Sequence, residues 1–172
     1  MKRKTVMVGL VGGAAAVLVL MQAVPYGRNH ANPPVTGEPV WNSPRTEALA
    51  RAACFDCHSN ESRWPWYSSI APVSWRIQSH VDEGRGKLNF SAFDRPQEEA
   101  TEAAEVVRSG EMPPSDYLLM HPEARLSPAD RQALADGLVA TFGAGEGEGG
   151  ERGKGGGRRG GEDDDDSDDE RS

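Results

Sequence analysis

The sequence predicts an all-α fold: a small domain of four or five short helices between an apolar N-terminal segment and a low-complexity C-terminal tail. Two Ser-Pro pairs, at 43–44 and 127–128, are typical helix starts, because Ser caps free N–H groups and Pro suits the first helical position. Leu134, Leu138 and Phe142 recur at the spacing of one helix face. No segment alternates apolar and polar residues as a half-buried strand does.

The first 25 residues form a separate unit, with a basic start and an apolar run behind it. Three basic residues within 2–4 precede an apolar stretch over 6–24, which only Gln22 interrupts. About 20 apolar residues in a helix suffice to cross a bilayer, and basic residues keep the preceding end in the cytoplasm. The segment is therefore predicted to be a membrane anchor with the rest of the chain outside. A cleaved signal sequence is the alternative, although Met-Gln-Ala at 21–23 is a poor cleavage site.

The remaining chain divides into three parts by composition. Residues 26–40, rich in Pro, Asn and Gly, are predicted to be an extended linker. Residues 41–142 hold the folded domain. Residues 143–172 are mostly Gly and charged residues and are predicted to be a disordered Gly-rich acidic tail. The net charge of -8, without a basic stripe, argues against a nucleic-acid partner.

The first half of the domain has two predicted helices with an aromatic loop between them. The first helix follows the Ser-Pro start through 44–53. The Trp-Pro-Trp-Tyr segment at 64–67 has no helical periodicity and is predicted to be a loop. A short helix over 72–81 is expected to end at Gly84 and Gly86, because glycine commonly terminates helices.

The second half has three further predicted elements. Asp94 is expected to cap a helix, with Gln97 as the reciprocal capping residue and Gly110 at its end. A helical turn is expected over 115–120. The second Ser-Pro pair then begins the last helix.

The only two cysteines stand in the run Cys54-Phe55-Asp56-Cys57-His58. The pattern Cys-x-x-Cys-His is the attachment motif of c-type haem. Its spacing lets the two thiols add to the two vinyl groups at the porphyrin edge, while the next residue ligates iron. We therefore predict one covalent haem c on Cys54 and Cys57, with His58 as the proximal iron ligand.

Three other interpretations of the two cysteines are weaker. A thioredoxin-like redox pair would follow a strand in a βαβ pattern, which the sequence lacks. A zinc site would need further ligands in a second cluster, and no other Cys exists. A structural disulfide across so short a ring would add little stability.

A second axial ligand to iron must come from elsewhere in the chain. Met112 is preferred, because two prolines follow it and stiffen an extended loop that can hold its thioether toward iron. His80, His121 and Met120 are the alternatives. His30 is a poor candidate, since it lies in the predicted linker.

Aromatic and basic residues crowd the stretch after the motif. Trp64, Trp66 and Trp75 are three of the four tryptophans, and they either wall the haem or form the core of a small domain. Arg63 and Arg76 are candidate partners for the haem propionates.

Several blocks of the sequence resemble the bacterial haem-binding domain family of small cytochrome c-like proteins, and more broadly the cytochrome c superfamily. The blocks lie at 54–61, 64–67, 70–75, 84–90, 110–114 and 117–127. The resemblance implies covalent haem at Cys54 and Cys57 and proximal ligation by His58. In the wider superfamily a Met followed by Pro commonly supplies the distal ligand, which corresponds to Met112.

The expected function is one-electron transfer by an exported mono-haem c-type cytochrome, not enzymatic catalysis. The chain would be a single-pass protein of the bacterial inner membrane, with the haem domain on the periplasmic face and membrane or periplasmic redox proteins as partners. The alternative is a haem-based ligand-binding or sensor module with an open or displaceable distal site. A peroxidase would need a distal acid–base pair, for which His80 with Arg76 is the only candidate.

Overall fold

Residues 2–144, which the computed structural model describes, contain seven α-helices and three 3₁₀ helices but no strand. The α-helices are α1 (Lys2–Met21), α2 (Pro44–Ala53), α3 (Phe55–His58), α4 (Val73–Lys87), α5 (Ala103–Ser109), α6 (Ser115–Met120) and α7 (Pro128–Phe142). The 3₁₀ helices are Trp66–Ser69, Glu98–Glu102 and Pro122–Ala124. The predicted all-α class is confirmed.

Helix α1 stands apart from the folded domain, with its side chains exposed along most of its length. Its segment Arg3–Met21 has a mean hydropathy of 2.0, and within residues 2–144 no other helix is long and apolar enough to cross a membrane. All but the first two residues of the predicted tail, 143–172, lie outside the described residues.

Both Ser-Pro pairs begin helices as predicted. The Ser43 hydroxyl accepts a hydrogen bond from the N–H of Thr46 (3.2 Å), and the Ser127 hydroxyl accepts one from the N–H of Asp130 (3.1 Å). These bonds satisfy N–H groups that have no partner within the first turn of a helix. Helices α2 and α7 start at these caps and pack against each other.

Helix α4 continues through both glycines to Lys87, so the prediction that Gly84 and Gly86 end it is wrong. Gly84 is buried where α4 crosses α3, and a Cβ there would lie 2.6 Å from the carbonyl oxygen of Cys57. The glycine therefore allows two backbones to approach closely. Gly86 has open space around the corresponding position.

The prediction that Asp94 caps a helix is also wrong. The Asp94 carboxylate accepts a hydrogen bond from the hydroxyl of Thr36 (2.6 Å), and the Gln97 side chain bridges backbone groups of the preceding turn. The Asp94 side chain is thus engaged in a tertiary hydrogen bond instead of capping a helix. The α-helix begins only at Ala103, and it ends at Gly110 with φ +81°, as predicted.

An aromatic cluster forms the centre of the core beneath α2, α5 and α7. The ring of Phe90 lies 5.3 Å, centroid to centroid, from the rings of Trp41 and Phe55 and 6.2 Å from that of Phe142. Leu134 is fully buried beside them. Because Phe55 is the second residue of the cysteine motif, the motif is attached directly to the core.

The segment predicted as a linker, 26–40, lies along the surface of the domain. Gly37 forms an isolated parallel bridge with Ala92. The ring of His30 stacks on that of Trp64, with centroids 4.6 Å apart. The segment has little regular secondary structure and takes its position from these contacts.

Candidate functional site

One helical turn brings the three residues of the motif together. Helix α2 ends before Cys54, and the backbone carbonyl of Cys54 accepts hydrogen bonds from the N–H groups of Cys57 (3.2 Å) and His58 (2.9 Å). Residues at i, i+3 and i+4 of a helix share one face. Both thiols and the imidazole therefore line the same cavity.

This cavity, which we call the motif cavity, has a volume of about 300 Å³. That volume lies at the small end of the range for ligand cavities in proteins. Its inner wall is apolar and buried, and consists of Leu88, Phe90, Val107 and Leu138. Its exposed rim is mainly acidic, and includes Glu83, Lys87, Glu102 and Glu111.

Both cysteines are free thiols and half-buried. Burial raises the pKa of Cys54 to about 12, with the neighbouring Cys57 adding to the effect. Burial likewise raises the pKa of Cys57 to about 11, assisted by the negative charge of Asp56. Redox-active motifs lower a thiol pKa instead. The thiols are therefore neutral at physiological pH.

A zinc site finds no support in the same region. Within residues 2–144 no group of three or more His, Cys, Asp and Glu side chains is arranged to hold a metal ion. Structural zinc usually takes four such ligands.

One ring nitrogen of His58 is engaged in a hydrogen bond that orients the imidazole. Its Nδ1 lies 3.0 Å from the backbone carbonyl oxygen of Leu88. Since a carbonyl only accepts, Nδ1 carries the proton and Nε2 is left as a ligand for a metal. Burial lowers the pKa of His58, although its hydrogen bond to Leu88 opposes this, so the neutral ligating form is favoured.

The structure separates the candidates for the second axial ligand. Met112 and His80 both line the motif cavity. Met120 and His121 line a second cavity instead. His30 lies against Trp64. Met112 and His80 are thus the two candidates that share a cavity with His58, the proposed proximal ligand.

The second cavity has a volume of about 760 Å³ and shares part of its wall with the first. Trp64, Tyr67 and Trp75 line it, and Trp66 is largely exposed on the surface. None of the three tryptophans after the motif lines the motif cavity. The residues that line both cavities are Asp56, Cys57, His80 and Tyr117.

The two candidate propionate arginines bind carboxylates of the protein. Arg63 Nε donates to Asp56 (3.2 Å), and Arg76 Nε donates to Asp116 (2.7 Å). Neither arginine lines the motif cavity. His80 and Arg76 line the second cavity together, and of the two only His80 also lines the motif cavity.

Tyr117 is a residue of the site that sequence analysis missed. Its hydroxyl donates to Asp56 Oδ2 (2.8 Å), and burial followed by the charge of Asp56 raises the pKa of Tyr117. The Asp56 side chain is only 11% exposed. Asp56 thus joins the cysteine motif to α6, the helix that follows Met112. The two residues are 61 positions apart, and no local pattern indicates their contact.

These features define a small all-α protein in which one helical turn presents two neutral thiols and an imidazole to an apolar cavity that also contains a thioether. A haem fits this set, because thiols can bond its edge, the free imidazole nitrogen can ligate iron and the apolar wall suits the porphyrin. The haem-binding domain family matches residues 16–140, well over half of the chain. The chain belongs to this family and binds haem. No curated protein and no solved structure matches it.

Proposed function

We propose that this protein is an exported, membrane-anchored mono-haem c-type cytochrome that transfers one electron at a time. The observation that carries the proposal is the single helical turn that directs Cys54, Cys57 and His58 into the cavity that Met112 also lines. Covalent attachment requires both thiols on one side of the cofactor, and the spacing of the motif provides this.

Each residue of the site has a distinct role. Cys54 and Cys57 would hold the cofactor as thioethers, His58 Nε2 would ligate its iron, and Met112 would supply the second protein ligand. The bound haem supplies a couple between ferric and ferrous iron. The carbonyl of Leu88 holds the imidazole in one tautomer and orientation. With both axial positions filled by protein side chains, the site favours electron transfer over substrate binding, so an enzymatic role is not proposed.

The apolar helix and its basic start support a location in the bacterial inner membrane. Helix α1 has the length and hydropathy of a span, and basic residues at 2–4 favour a cytoplasmic N-terminus. The haem domain then lies on the periplasmic face as part of a single-pass protein. Its partners are membrane or periplasmic redox proteins.

The rim of the motif cavity suggests the charge of those partners. Glu83, Glu102 and Glu111 stand exposed around it, with Lys87 as the cation among them. A redox protein with basic residues around its own centre would be attracted to this rim, and its association rate would fall as salt increases.

The proposal is tested by expressing the full chain in a host that matures c-type haem and extracting the protein with acidified acetone. We expect the haem to stay with the polypeptide and the oxidised protein to be low-spin, with the near-infrared band of a Met–iron bond. His58→Ala should abolish the low-spin spectrum, whereas His30→Ala, outside the motif cavity, should preserve it. Extraction of the haem into acetone would refute covalent attachment.

The same spectra distinguish the rival ligand and the rival function. A low-spin spectrum without the near-infrared band would assign the second axial position to His80, the other candidate in the cavity. A high-spin spectrum would indicate an open site, and would favour a haem-based ligand-binding or sensor module over electron transfer.

A further inference from the structure

The end of the apolar helix is fastened to the folded domain by one side chain. Gln22 follows α1 directly, and its Nε2 donates to the backbone carbonyl of Ala71 (2.9 Å) while its Oε1 accepts from the N–H of the same residue (3.0 Å). The amide thus forms a reciprocal pair with a single buried residue. We call this pair the Gln22 clasp.

The residues that follow Gln22 also contact the domain. The Tyr26 hydroxyl donates to Asp82 (3.1 Å). Gly27 has φ +77° and is buried against Ser74, whose carbonyl a Cβ at that position would overlap. Only glycine fits such a conformation at so close an approach. The domain is therefore held at the end of α1 by contacts rather than by a flexible tether.

Apolar side chains that lie close to Ala71 in the chain are exposed. Trp66 is 79% exposed, although tryptophan usually buries most of its surface. Ile70 and Val73, on either side of Ala71 in the chain, are 45% and 46% exposed. These three residues form what we call the clasp patch. Exposed apolar patches of this kind mark interaction sites.

The position of the patch indicates its partner. Val24 and Tyr26, in the chain that leaves α1, are also partly exposed, so exposed apolar residues follow the proposed span along the chain up to the domain. Tryptophan and tyrosine are enriched where a membrane meets water, because one part of the side chain is apolar and the other polar. A bilayer reached by α1 would therefore meet this surface first.

We propose that the haem domain rests directly on the bilayer, with Trp66, Ile70 and Val73 in the lipid interface and the Gln22 clasp holding it there. The inference rests on the proposed membrane anchoring of α1 and adds a fixed orientation of the haem domain relative to the bilayer. The second cavity, whose lining includes Tyr26 and Val73, then lies on the membrane side of the domain. The haem domain is not free to swing about its anchor.

The test uses the full haem-loaded chain in nanodiscs of phosphatidylcholine and phosphatidylglycerol, with the photoreactive residue benzoylphenylalanine at one position at a time. The positions are Trp66 in the patch, Val11 within α1, and Val40 as the matched control. Val40 is 93% exposed and lies just before α2 in the chain. The haem spectrum verifies that each variant is folded before illumination.

We expect lipid adducts at positions 11 and 66, and at least tenfold fewer at position 40. Adducts at 11 with none at 66 would overturn the docked posture and leave the anchor standing, whereas the absence of adducts at all three would refute the anchor as well. A cross-link from position 66 to a second copy of the chain would also overturn the inference. Gln22→Ala should reduce the adducts at 66 several-fold without changing those at 11, and an unchanged yield at 66 would refute the role of the clasp.

Discussion

Met112 is the residue that we propose as the second protein ligand to the haem iron. It is half-buried, packs against the core and lines the motif cavity. Its N–H donates to the carbonyl of Val106 (3.0 Å), which ties the loop back to α5. A thioether ligand favours ferrous iron and raises the reduction potential relative to a second imidazole. The backbone hydrogen bond and the packing of the side chain against the core together hold the residue at the cavity.

Met112→Ala should lower the reduction potential by on the order of 0.1 V, within the roughly 0.8 V range over which axial ligands tune haem. It should also abolish the near-infrared band and allow added imidazole to bind. Potentiometric titration and absorption spectroscopy measure these changes. Met120→Ala is the matched control, because Met120 is exposed and lies outside the motif cavity. An unchanged reduction potential in the Met112 variant would show that this residue is not an iron ligand.

Tyr117→Phe should destabilise the folded protein by about 1–2 kcal/mol, because it removes a hydrogen bond to the nearly buried carboxylate of Asp56. Unfolding in urea, followed by circular dichroism, measures the change. Tyr67→Phe is the control, since the Tyr67 hydroxyl makes no hydrogen bond within the described part of the chain. Equal effects of the two substitutions would contradict a specific role for the Tyr117–Asp56 bond.

At the scale of elements, the crossing of α3 and α4 determines where the motif lies. Helix α4 carries Gly84 at the point nearest to Cys57 and ends at Lys87, and the carbonyl of the next residue, Leu88, accepts from His58. Close approach at the glycine therefore brings the hydrogen-bond acceptor within reach of the imidazole. A wider crossing would move the motif away from the wall that Leu88 and Phe90 provide.

Gly84→Ala should lower the free energy of unfolding by about 1–3 kcal/mol, because overpacking of an interior is generally destabilising. It should also lower the fraction of the protein that is loaded with haem. Its Cβ would meet a backbone carbonyl, which cannot rotate aside as a side chain can. Thermal unfolding and the ratio of haem absorbance to protein absorbance measure both effects. Gly86→Ala, in open space on the same helix, should be neutral or stabilising by up to about 1 kcal/mol. Similar losses at both positions would show that helix propensity, not packing, is responsible.

Across the whole molecule, the chain runs from a basic start through an apolar helix into a domain whose motif cavity has a mainly acidic rim. The segment between α1 and α2 makes hydrogen bonds and a ring-stacking contact along the domain surface. Helix α1 ends at Met21, so these contacts begin directly after the proposed anchor.

The mature protein should retain α1 and sediment with membranes after washing in alkaline carbonate, because an apolar helix of this length remains in lipid. Immunoblotting of the pellet and mass spectrometry of the intact N-terminus check this outcome. A chain that begins after residue 21 and appears in the soluble fraction would establish a cleaved signal sequence instead.

Local patterns were sufficient for the all-α class and for the limits of several helices. Ser43 and Ser127 begin α2 and α7 because capping involves groups within one turn. Gly110 ends α5 because a left-handed residue terminates a helix wherever it occurs. The cysteine motif could likewise be recognised because its residues are close together in the chain, and the family match confirms haem binding.

The helical class, the apolar span candidate and the haem-binding family could all be predicted from the chain, since each depends on residues close together in it. By contrast, that Met112 and His80 reach the motif cavity while His121 does not became evident in the folded arrangement. The same arrangement shows that Gly84 continues a helix, and that Asp56 meets Tyr117. These outcomes depend on contacts between residues far apart in the chain, where local preference is outweighed by packing.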